Sequence, residues 1–248
     1  MNKKAEAGFS GIAAVEEDAE WSPGAYIQSA LPSEKELKIN IDELLRRYVS
    51  FYIRYAAEIN SQRKKIKAGE IKTLPYRKMS GKSRIKNALM LSKKPGTIGE
   101  LFDIFYGQKE LHSRENLSEG DSLIISPTEK YNGCFGWLSY EPLTEPPFLT
   151  VAQTGTIGEA FVQNECCGVN DDCLILLPSE SSPIKISQLF ISAAIIRLER
   201  WRFSYGRKLT PARICDFPMP IMPELEKWVD EKLDAWNAVI NVSLSAYD

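Results

Sequence analysis

Apolar residues recur at steps of three and four from residue 37 to residue 59, which is the spacing of one face of a helix. The members of this stripe are Leu37, Ile41, Leu44, Leu45, Tyr48, Tyr52, Tyr55 and Ile59. Ser33 and Glu36 precede it with the spacing of a capping box, in which each side chain bonds the other residue's backbone N–H. The pattern therefore predicts a long amphipathic helix that ends at about residue 65.

The centre of the chain has a different pattern, with short apolar runs separated by glycine, proline, asparagine and serine. The runs cover residues 122–126, 134–140, 148–153, 159–163 and 173–178. Runs of this length and spacing indicate a β-rich domain. A helical pattern follows at 186–203. Pro223 then begins a last helix, on which Leu225, Val229, Leu233, Trp236 and Ile240 share one face.

These elements predict an α+β fold, in which a long N-terminal helix and a C-terminal helix flank a β-rich domain. We expect four segments: an irregular acidic lead at 1–30, the long helix and a basic connector at 31–91, the β-rich domain at 92–222, and the C-terminal helix at 223–248. We expect the apolar faces of the two flanking helices to pack against each other. The alternative is that each helix packs only on the β-rich domain.

Charge is distributed unevenly along the 248 residues, although the formal net charge is only −2. Residues 46–94 contain 15 lysines and arginines but only two acids. A concentrated basic stretch indicates a surface that binds a polyanion, and the alternative is a solvated charged face. We assign Lys64, Lys65 and Lys82 in this stretch to phosphate contacts. No apolar run is long enough to span a membrane, and the first residues lack the pattern of a signal peptide, so we expect a cytoplasmic protein.

The residues that usually carry metal or nucleophilic chemistry are sparse. Five cysteines lack the paired CxxC spacing of zinc sites, and we expect them to be reduced thiols. The only histidine is His112, which we expect in a solvated loop. Asp171 and Asp172 lie beside a predicted strand, where neighbouring side chains point to opposite faces, so we expect no shared metal site. The sequence therefore predicts neither a metal nor a cofactor.

Two glycine-containing segments are candidates for contact with DNA. Thr154, Gly155, Thr156 and Gly158 belong to a heptapeptide, GTIGEAF at 155–161 with its preceding threonine, that nearly repeats GTIGELF at 96–102. The sequences after the two copies diverge, so we treat the copies as separate elements. Glycine lets a backbone approach a ligand closely and threonine donates to phosphate, although a plain tight turn between strands is the alternative.

Tyr131, Asn132 and Gly133 first predict a hairpin turn, because Asn-Gly readily takes positive φ. A contact between these side chains and a base is the second interpretation.

The third candidate is a basic loop that contains Tyr205, Arg207 and Lys208 and follows Arg197, Arg200 and Arg202. A guanidinium group there could contact a guanine edge or a phosphate. The alternative is that Arg207 pairs with a carboxylate such as Asp216 and only holds the loop.

Four blocks of the central region occur in this order: GTIGELFDIFYGQ, SLIISPTEKYNGCFGWL, LTVAQTGTIGEAFVQNECCGVNDDCLILLP and FSYGRKLTPARICDFPMPIMP. In this order they resemble the target recognition domain of type I restriction-modification specificity subunits and of type IIG-like adenine DNA methyltransferases. The resemblance covers about residues 92–223. The upstream stretch WSPGAYIQSALPSEKELKINIDELLRRY resembles the connection between an adenine methyltransferase core and such a domain.

The resemblance implies a sequence-specific module for double-stranded DNA that directs a partner adenine-N6 methyltransferase, with or without a nuclease. Type I specificity subunits carry two recognition domains, whereas this chain has room for one. It therefore implies either a half-length subunit that forms a homodimer or one domain that serves a separate methyltransferase chain. The C-terminal helix would be the spacer helix of that family. The alternatives are a nucleic-acid-binding protein outside restriction-modification and a truncated adenine methyltransferase.

Catalysis by the chain itself is not expected. EPPF at 145–148 resembles the D/N/S-P-P-Y/F loop with which adenine methyltransferases hold the target amine. Glu145 departs from that pattern, and no strand with a glycine-rich turn for S-adenosylmethionine precedes it. We therefore expect a non-catalytic specificity module without a cofactor of its own, whose partner holds the methyl donor.

Overall fold

The computed structural model describes residues 32–68, 88–91, 93–142, 144–204 and 206–245. The predicted acidic lead, most of the basic connector and the candidate residues Lys82 and Tyr205 lie outside these ranges. None of the helices in the described part is long and apolar enough to cross a membrane.

The described chain has an α+β fold, as predicted. The α-helices are α1 (Glu34–Lys67), α2 (Ile98–Leu101), α3 (Ile186–Leu198), α4 (Pro211–Ile214) and α5 (Pro223–Ser245). The strands are β1 (Phe102–Tyr106), β2 (Glu119–Ile125), β3 (Cys134–Leu138), β4 (Phe148–Ala152), β5 (Ala160–Gln163), β6 (Cys167–Val169) and β7 (Cys173–Pro178). Short 3₁₀ helices cover Lys109–Leu111, Arg114–Asn116, Tyr131–Gly133 and Glu199–Arg202.

Helix α1 begins with the predicted capping box. The Ser33 backbone N–H donates to Glu36 Oε2 at 2.9 Å, and the Glu36 N–H donates to Ser33 Oγ at 3.3 Å. Four pairs of opposite charge at i and i+4 also stabilise the solvent side of the helix. These pairs are Glu34–Lys38, Asp42–Arg46, Glu43–Arg47 and Arg54–Glu58.

The strands form two sheets. One sheet has four antiparallel strands in the order β1-β7-β4-β5, with Ile104 opposite Leu176 and Thr150 opposite Ile175. The other has three strands in the order β3-β2-β6, in which β2 is antiparallel to β3 and parallel to β6. The apolar runs predicted β2, β3, β4, β5 and β7. The runs did not include β1 or β6, and the three residues of β6 are too few to show a pattern.

Helix α3 is the centre of the helical layer. Its residues 187–197 are all buried, since it packs against β4 and β5 and also against α1 and α5. A helix that is apolar on all sides is expected in such a position.

Helices α1 and α5 also contact each other, as predicted, and Lys232 Nζ lies 3.4 Å from Asp42 Oδ1. Buried residues of α1, α3, α5 and both sheets form one apolar core. The flanking helices are therefore paired and are also packed on the β-rich region.

Candidate nucleic-acid interface

The glycine loop, residues 153–158, connects β4 to β5 and is a tight turn. Gly155 and Gly158 have φ values of +60° and +79°, which side chains with a Cβ rarely adopt. A Cβ on Gly158 would lie 2.6 Å from Cβ of Arg200, so this glycine is also required by packing. These observations support the turn interpretation for Gly158, whereas Gly155 is exposed and Thr154 is half-buried.

The glycine loop packs beside the connection between β2 and β3. The Thr156 hydroxyl donates to the backbone oxygen of Pro127 at 3.2 Å. The same oxygen would lie 3.0 Å from a Cβ on Gly155. The Thr156 hydroxyl therefore links the two loops. The Thr154 hydroxyl makes no such hydrogen bond within the described residues.

The Tyr131–Gly133 turn joins β2 to β3, as the hairpin interpretation predicts. All three residues have positive φ, at +48°, +56° and +79°. The Asn132 side chain is only 1% exposed, and its amide donates to the backbone oxygen of Val162 at 2.8 Å. The amide nitrogen also lies 3.3 Å from Gln163 Oε1. Because the buried amide is bonded within the protein, the second interpretation, a base contact by Asn132, is not supported.

A group of opposite charges, in which Glu159 and Arg197 are buried, lies beside the glycine loop. Glu159, whose side chain is 2% exposed, accepts from Arg197 Nε at 3.0 Å and also from Arg200, while Arg47 Nη1 lies 3.7 Å away. Arg197 and Arg47 in turn contact Glu43, at 3.3 Å and 2.5 Å. We call these five residues the Glu159 cluster. Partial burial acts to raise the pKa of Glu43, but the two guanidinium groups lower it below its ordinary value.

The Glu159 cluster connects three elements that the sequence presented separately. Arg47 belongs to α1, Glu159 follows the glycine loop, and Arg197 and Arg200 lie at the end of α3 and in the next 3₁₀ helix. Arg47 also donates to the backbone oxygen of Glu129 at 3.0 Å, in the connection that precedes the Tyr131–Gly133 turn. The glycine loop, this connection and α1 therefore form one continuous edge.

The Arg207 loop, residues 204–210, has a different character. Arg207 and Lys208 are exposed, and the Ser204 and Arg207 backbones exchange hydrogen bonds at 3.2 Å and 2.9 Å. Arg213 Nη1 donates to the Lys208 oxygen at 2.5 Å and so fixes the loop from behind.

The structure contradicts the alternative in which Arg207 pairs with Asp216. Asp216 bonds to Lys94 at 2.8 Å. Across the described ranges no carboxylate pairs with Arg207, whereas Arg197 and Arg200 bond to Glu159 and Arg202 pairs with Glu199.

The lysines assigned to phosphate contacts differ from each other. Lys64 is exposed near the end of α1 and has no acidic partner in the described part of the chain. Lys65 pairs with Glu119, so part of its charge is already compensated. Lys82 falls outside the described residues, as does Tyr205.

His112 lies on the surface, as expected, and its Nδ1 is 2.9 Å from Asp171 Oδ1. This hydrogen bond raises the pKa of His112 above its ordinary value. The expected geometry of the two aspartates was wrong, because Asp171 and Asp172 lie in a turn rather than a strand. Both carboxylates and the His112 ring reach within 4.8 Å of one another.

The five cysteines are free thiols, as expected. Burial raises the pKa of Cys134 to about 12, so this thiol stays protonated at neutral pH.

The segment EPPF does not offer an aromatic ring to a substrate. Phe148, its fourth residue, is fully buried at the start of β4.

Arginines of α1 are the surface residues that sequence analysis missed individually. Arg47 and Arg54 are seven residues apart, which places them on one face of a helix, with Phe51 between them. The spacing of seven residues could have predicted this shared face, but the basic residues were counted without considering their spacing.

Comparisons with known proteins find likeness only among solved structures. No family model and no curated protein sequence matches the chain. The S subunit of a type I restriction-modification system from M. genitalium is similar with a TM-score of 0.42 and 16% identity, over 87% of this chain and 55% of that chain. The HsdS subunit from Thermoanaerobacter tengcongensis is similar with a TM-score of 0.42 and 17% identity, over 88% and 54%.

A third solved chain comes from work on complex assembly and conformational transition of the type I system, with a TM-score of 0.38, 16% identity and coverage of 88% and 56%. The present chain thus spans little more than half the length of these chains. The first two are S subunits, the class of protein that the four sequence blocks resemble.

Proposed function

We propose that this chain is the DNA-recognition module of a restriction-modification system and directs a partner adenine methyltransferase to a target sequence. The observation that carries the proposal is the exposed guanidinium of Arg207, which has no acidic partner in the described part of the chain. Two backbone hydrogen bonds between Ser204 and Arg207 and the bond from Arg213 hold its loop. An exposed arginine on such a loop suits bidentate contact with guanine O6 and N7 in the major groove.

The continuous edge beside the Glu159 cluster supports a second contact with the same duplex. Gly155 exposes its backbone there, and Thr154 is the neighbouring hydroxyl donor. Backbone N–H groups and hydroxyls are common donors to phosphate, and such contacts fix the register of a protein on DNA. In this proposal Arg207 and Lys208 contact DNA bases, whereas Thr154, Gly155 and Lys64 contact the phosphate backbone of the DNA.

The chemistry is assigned to a partner. The sequence lacks a donor-binding turn for S-adenosylmethionine. The segment EPPF resembles a catalytic loop, but its aromatic residue, Phe148, is buried. The partner in this proposal is an adenine-N6 methyltransferase chain, with the present chain acting either as a dimer of half-length subunits or as a single domain. This arrangement needs no cofactor in the chain itself.

The proposal is tested by selecting preferred duplexes from a random-sequence library with the purified chain and measuring affinity at several salt concentrations. We expect one enriched target, and we expect log affinity to fall linearly with log salt because bound lysines and arginines release counterions. We also expect no methyl transfer from S-adenosylmethionine until an adenine methyltransferase chain is added. Affinity that does not change with salt, or methylation by the chain alone, would contradict the proposal. Binding without an enriched sequence would favour a nucleic-acid-binding protein outside restriction-modification.

A further inference from the structure

A cleft of about 290 Å³ opens between α1 and the beginning of β3, and we call it the α1–β3 cleft. Its walls are mainly aromatic, and Arg54, Glu58 and Ser61 provide polar groups. The aromatic residues are Phe51, Tyr55, Tyr131, Phe135 and Trp137. The volume is close to the lower end, about 300 Å³, of pockets that bind small molecules.

Two aromatic rings of this cleft are unusually open to solvent. Tyr131 is 54% exposed and Phe135 is 44% exposed. The guanidinium of Arg54 lies 4.1 Å from the Tyr131 ring centroid, and that of Arg114 lies 4.4 Å from the Phe135 ring centroid. Each ring is thus supported on one side by a cation while much of its surface remains accessible.

The backbone of Tyr131 is held in an uncommon conformation. Its φ of +48° lies in the left-handed region, where a bulky aromatic residue is an outlier. The buried amide of Asn132 and the positive φ of Gly133 fix the turn around it. The turn therefore presents this ring at the mouth of the cleft against its local preference, a pattern that recurs at ligand-binding sites.

Charged side chains border the cleft. The guanidinium groups of Arg54 and Arg114 lie over the two exposed rings, and Arg54 also pairs with Glu58 at 2.6 Å. A second, smaller cleft also borders Tyr131 and is lined by Arg46 and Arg47. Arg46 pairs with Asp42 at 2.8 Å but is largely exposed, and exposed pairs contribute little energy. Arg46 is therefore free to exchange its carboxylate partner for a phosphate.

We infer that the α1–β3 cleft binds an unpaired nucleobase of the DNA, stacked on the ring of Tyr131, with the adjoining phosphate beside Arg46. This inference rests on the proposed function, because it concerns the same DNA. Aromatic rings beside basic side chains are the usual means by which proteins hold unpaired bases. A base within a duplex has its faces covered by its neighbours, so only an unstacked base can enter the cleft.

The test compares two duplexes of identical sequence that contain the target selected above. In one duplex a single adenine beside the target faces an abasic site, and in the other it is paired with thymine. The unpaired base needs no energy for opening, so we expect the wild-type chain to bind the first duplex about tenfold more tightly, as expected for one stacked base. Moving the abasic position along the duplex locates the nucleotide that gives the largest preference.

Variants of Tyr131 assign that preference to the ring. Tyr131→Asn removes the ring but tolerates positive φ, so the turn should fold, and we expect this variant to bind the paired and the abasic duplex with equal affinity. Tyr131→Phe should retain the preference, because the stacking surface remains. Tyr106→Ala is the matched control, since Tyr106 is an equally exposed tyrosine on β1.

Three outcomes would overturn the inference. Equal affinity for the paired duplex and for every abasic duplex would exclude an unpaired base in the cleft, while leaving the proposed function intact. A preference that persists in Tyr131→Asn would assign the unpaired base to another site. Failure to bind any duplex would overturn both the proposed function and the inference that rests on it.

Discussion

Arg197 of the Glu159 cluster and Arg207 of the Arg207 loop are only ten residues apart in the sequence, but they have opposite surroundings. Arg197 is 6% exposed and contacts two carboxylates, whereas Arg207 is exposed and pairs with none in the described part of the chain. A buried guanidinium needs its partners to offset lost hydration, while an exposed one keeps its donors for a ligand. Burial and pairing, rather than charge alone, therefore separate arginines that stabilise the fold from those whose donors remain available to a ligand.

The largest expected effect comes from breaking the Glu159 cluster. Glu159→Ala leaves Arg197 buried without its main acceptor, and removal of one partner of a buried ion pair costs about 3–5 kcal/mol. Urea unfolding followed by circular dichroism measures this loss. Asp216→Ala, which breaks the exposed pair with Lys94, is the control and should cost about 0–1 kcal/mol. Equal losses in both variants would remove the distinction between the buried ion pair of Glu159 and the exposed pair of Asp216.

The buried Asn132 amide is a neutral counterpart to the buried ion pair of Glu159 and Arg197. Asn132→Gly keeps the positive φ but leaves the Val162 carbonyl without its donor. We expect the free energy of unfolding to fall by about 1–3 kcal/mol, the cost of an unsatisfied buried polar group. The order of preference among DNA targets should not change, because the amide is not exposed. A changed preference at one base pair would instead restore Asn132 to the set of base contacts.

Two lysines on α1 extend the comparison to exposed residues with and without an acidic partner. Lys64→Ala should weaken binding to all sequences alike and flatten the slope of log affinity against log salt by about one unit, if its charge meets a phosphate. Lys65→Ala should change the slope less, because Glu119 already compensates part of that charge. A larger change for Lys65 than for Lys64 would show that pairing within the protein does not predict phosphate contact.

The smallest expected effect concerns the exposed pair of His112 and Asp171. The pKa of His112 is raised in the folded state, so the pair stabilises the fold below the ordinary histidine pKa of about 6.5. That contribution is lost as pH rises through the raised pKa. Melting temperatures of the wild type and Asp171→Asn should differ slightly at pH 5.5 and converge at pH 8. A difference that grows with pH would reverse the sign of this linkage.

Local rules carried the sequence predictions that the structure confirms. The capping box of Ser33 and Glu36 and the apolar stripe define α1 without reference to the rest of the chain. The turn at Asn132 also follows from a local property, the tolerance of Asn-Gly for positive φ. Five of the seven strands in the described residues were predicted from their apolar runs, but the order of the strands in two sheets depends on pairing between distant segments.

Long-range partners account for what the sequence did not predict. The carboxylate of Glu159 follows an ordinary glycine turn, and its partners Arg47 and Arg197 lie far away along the chain. The hydrogen bond from the Asn132 amide to the Val162 oxygen likewise depends on the packing of the turn on β5. Periodicity cannot indicate which lysine or arginine of a basic stretch pairs with an acidic residue in the fold. For that reason the stretch was predicted as one surface, although the structure divides it.

The most direct test of DNA recognition is Arg207→Ala measured against every single-base variant of the selected target. We expect weaker binding to the preferred target by about 1–3 kcal/mol and relaxed preference at one base pair, because a bidentate contact is lost. The free energy of unfolding should change by no more than about 0.5 kcal/mol, as for an exposed side chain. Lys227→Ala is the control. Lys227 is an exposed lysine on α5, and its replacement should leave the affinity for DNA and the sequence preference unchanged. Unchanged relative preferences in Arg207→Ala would contradict the account.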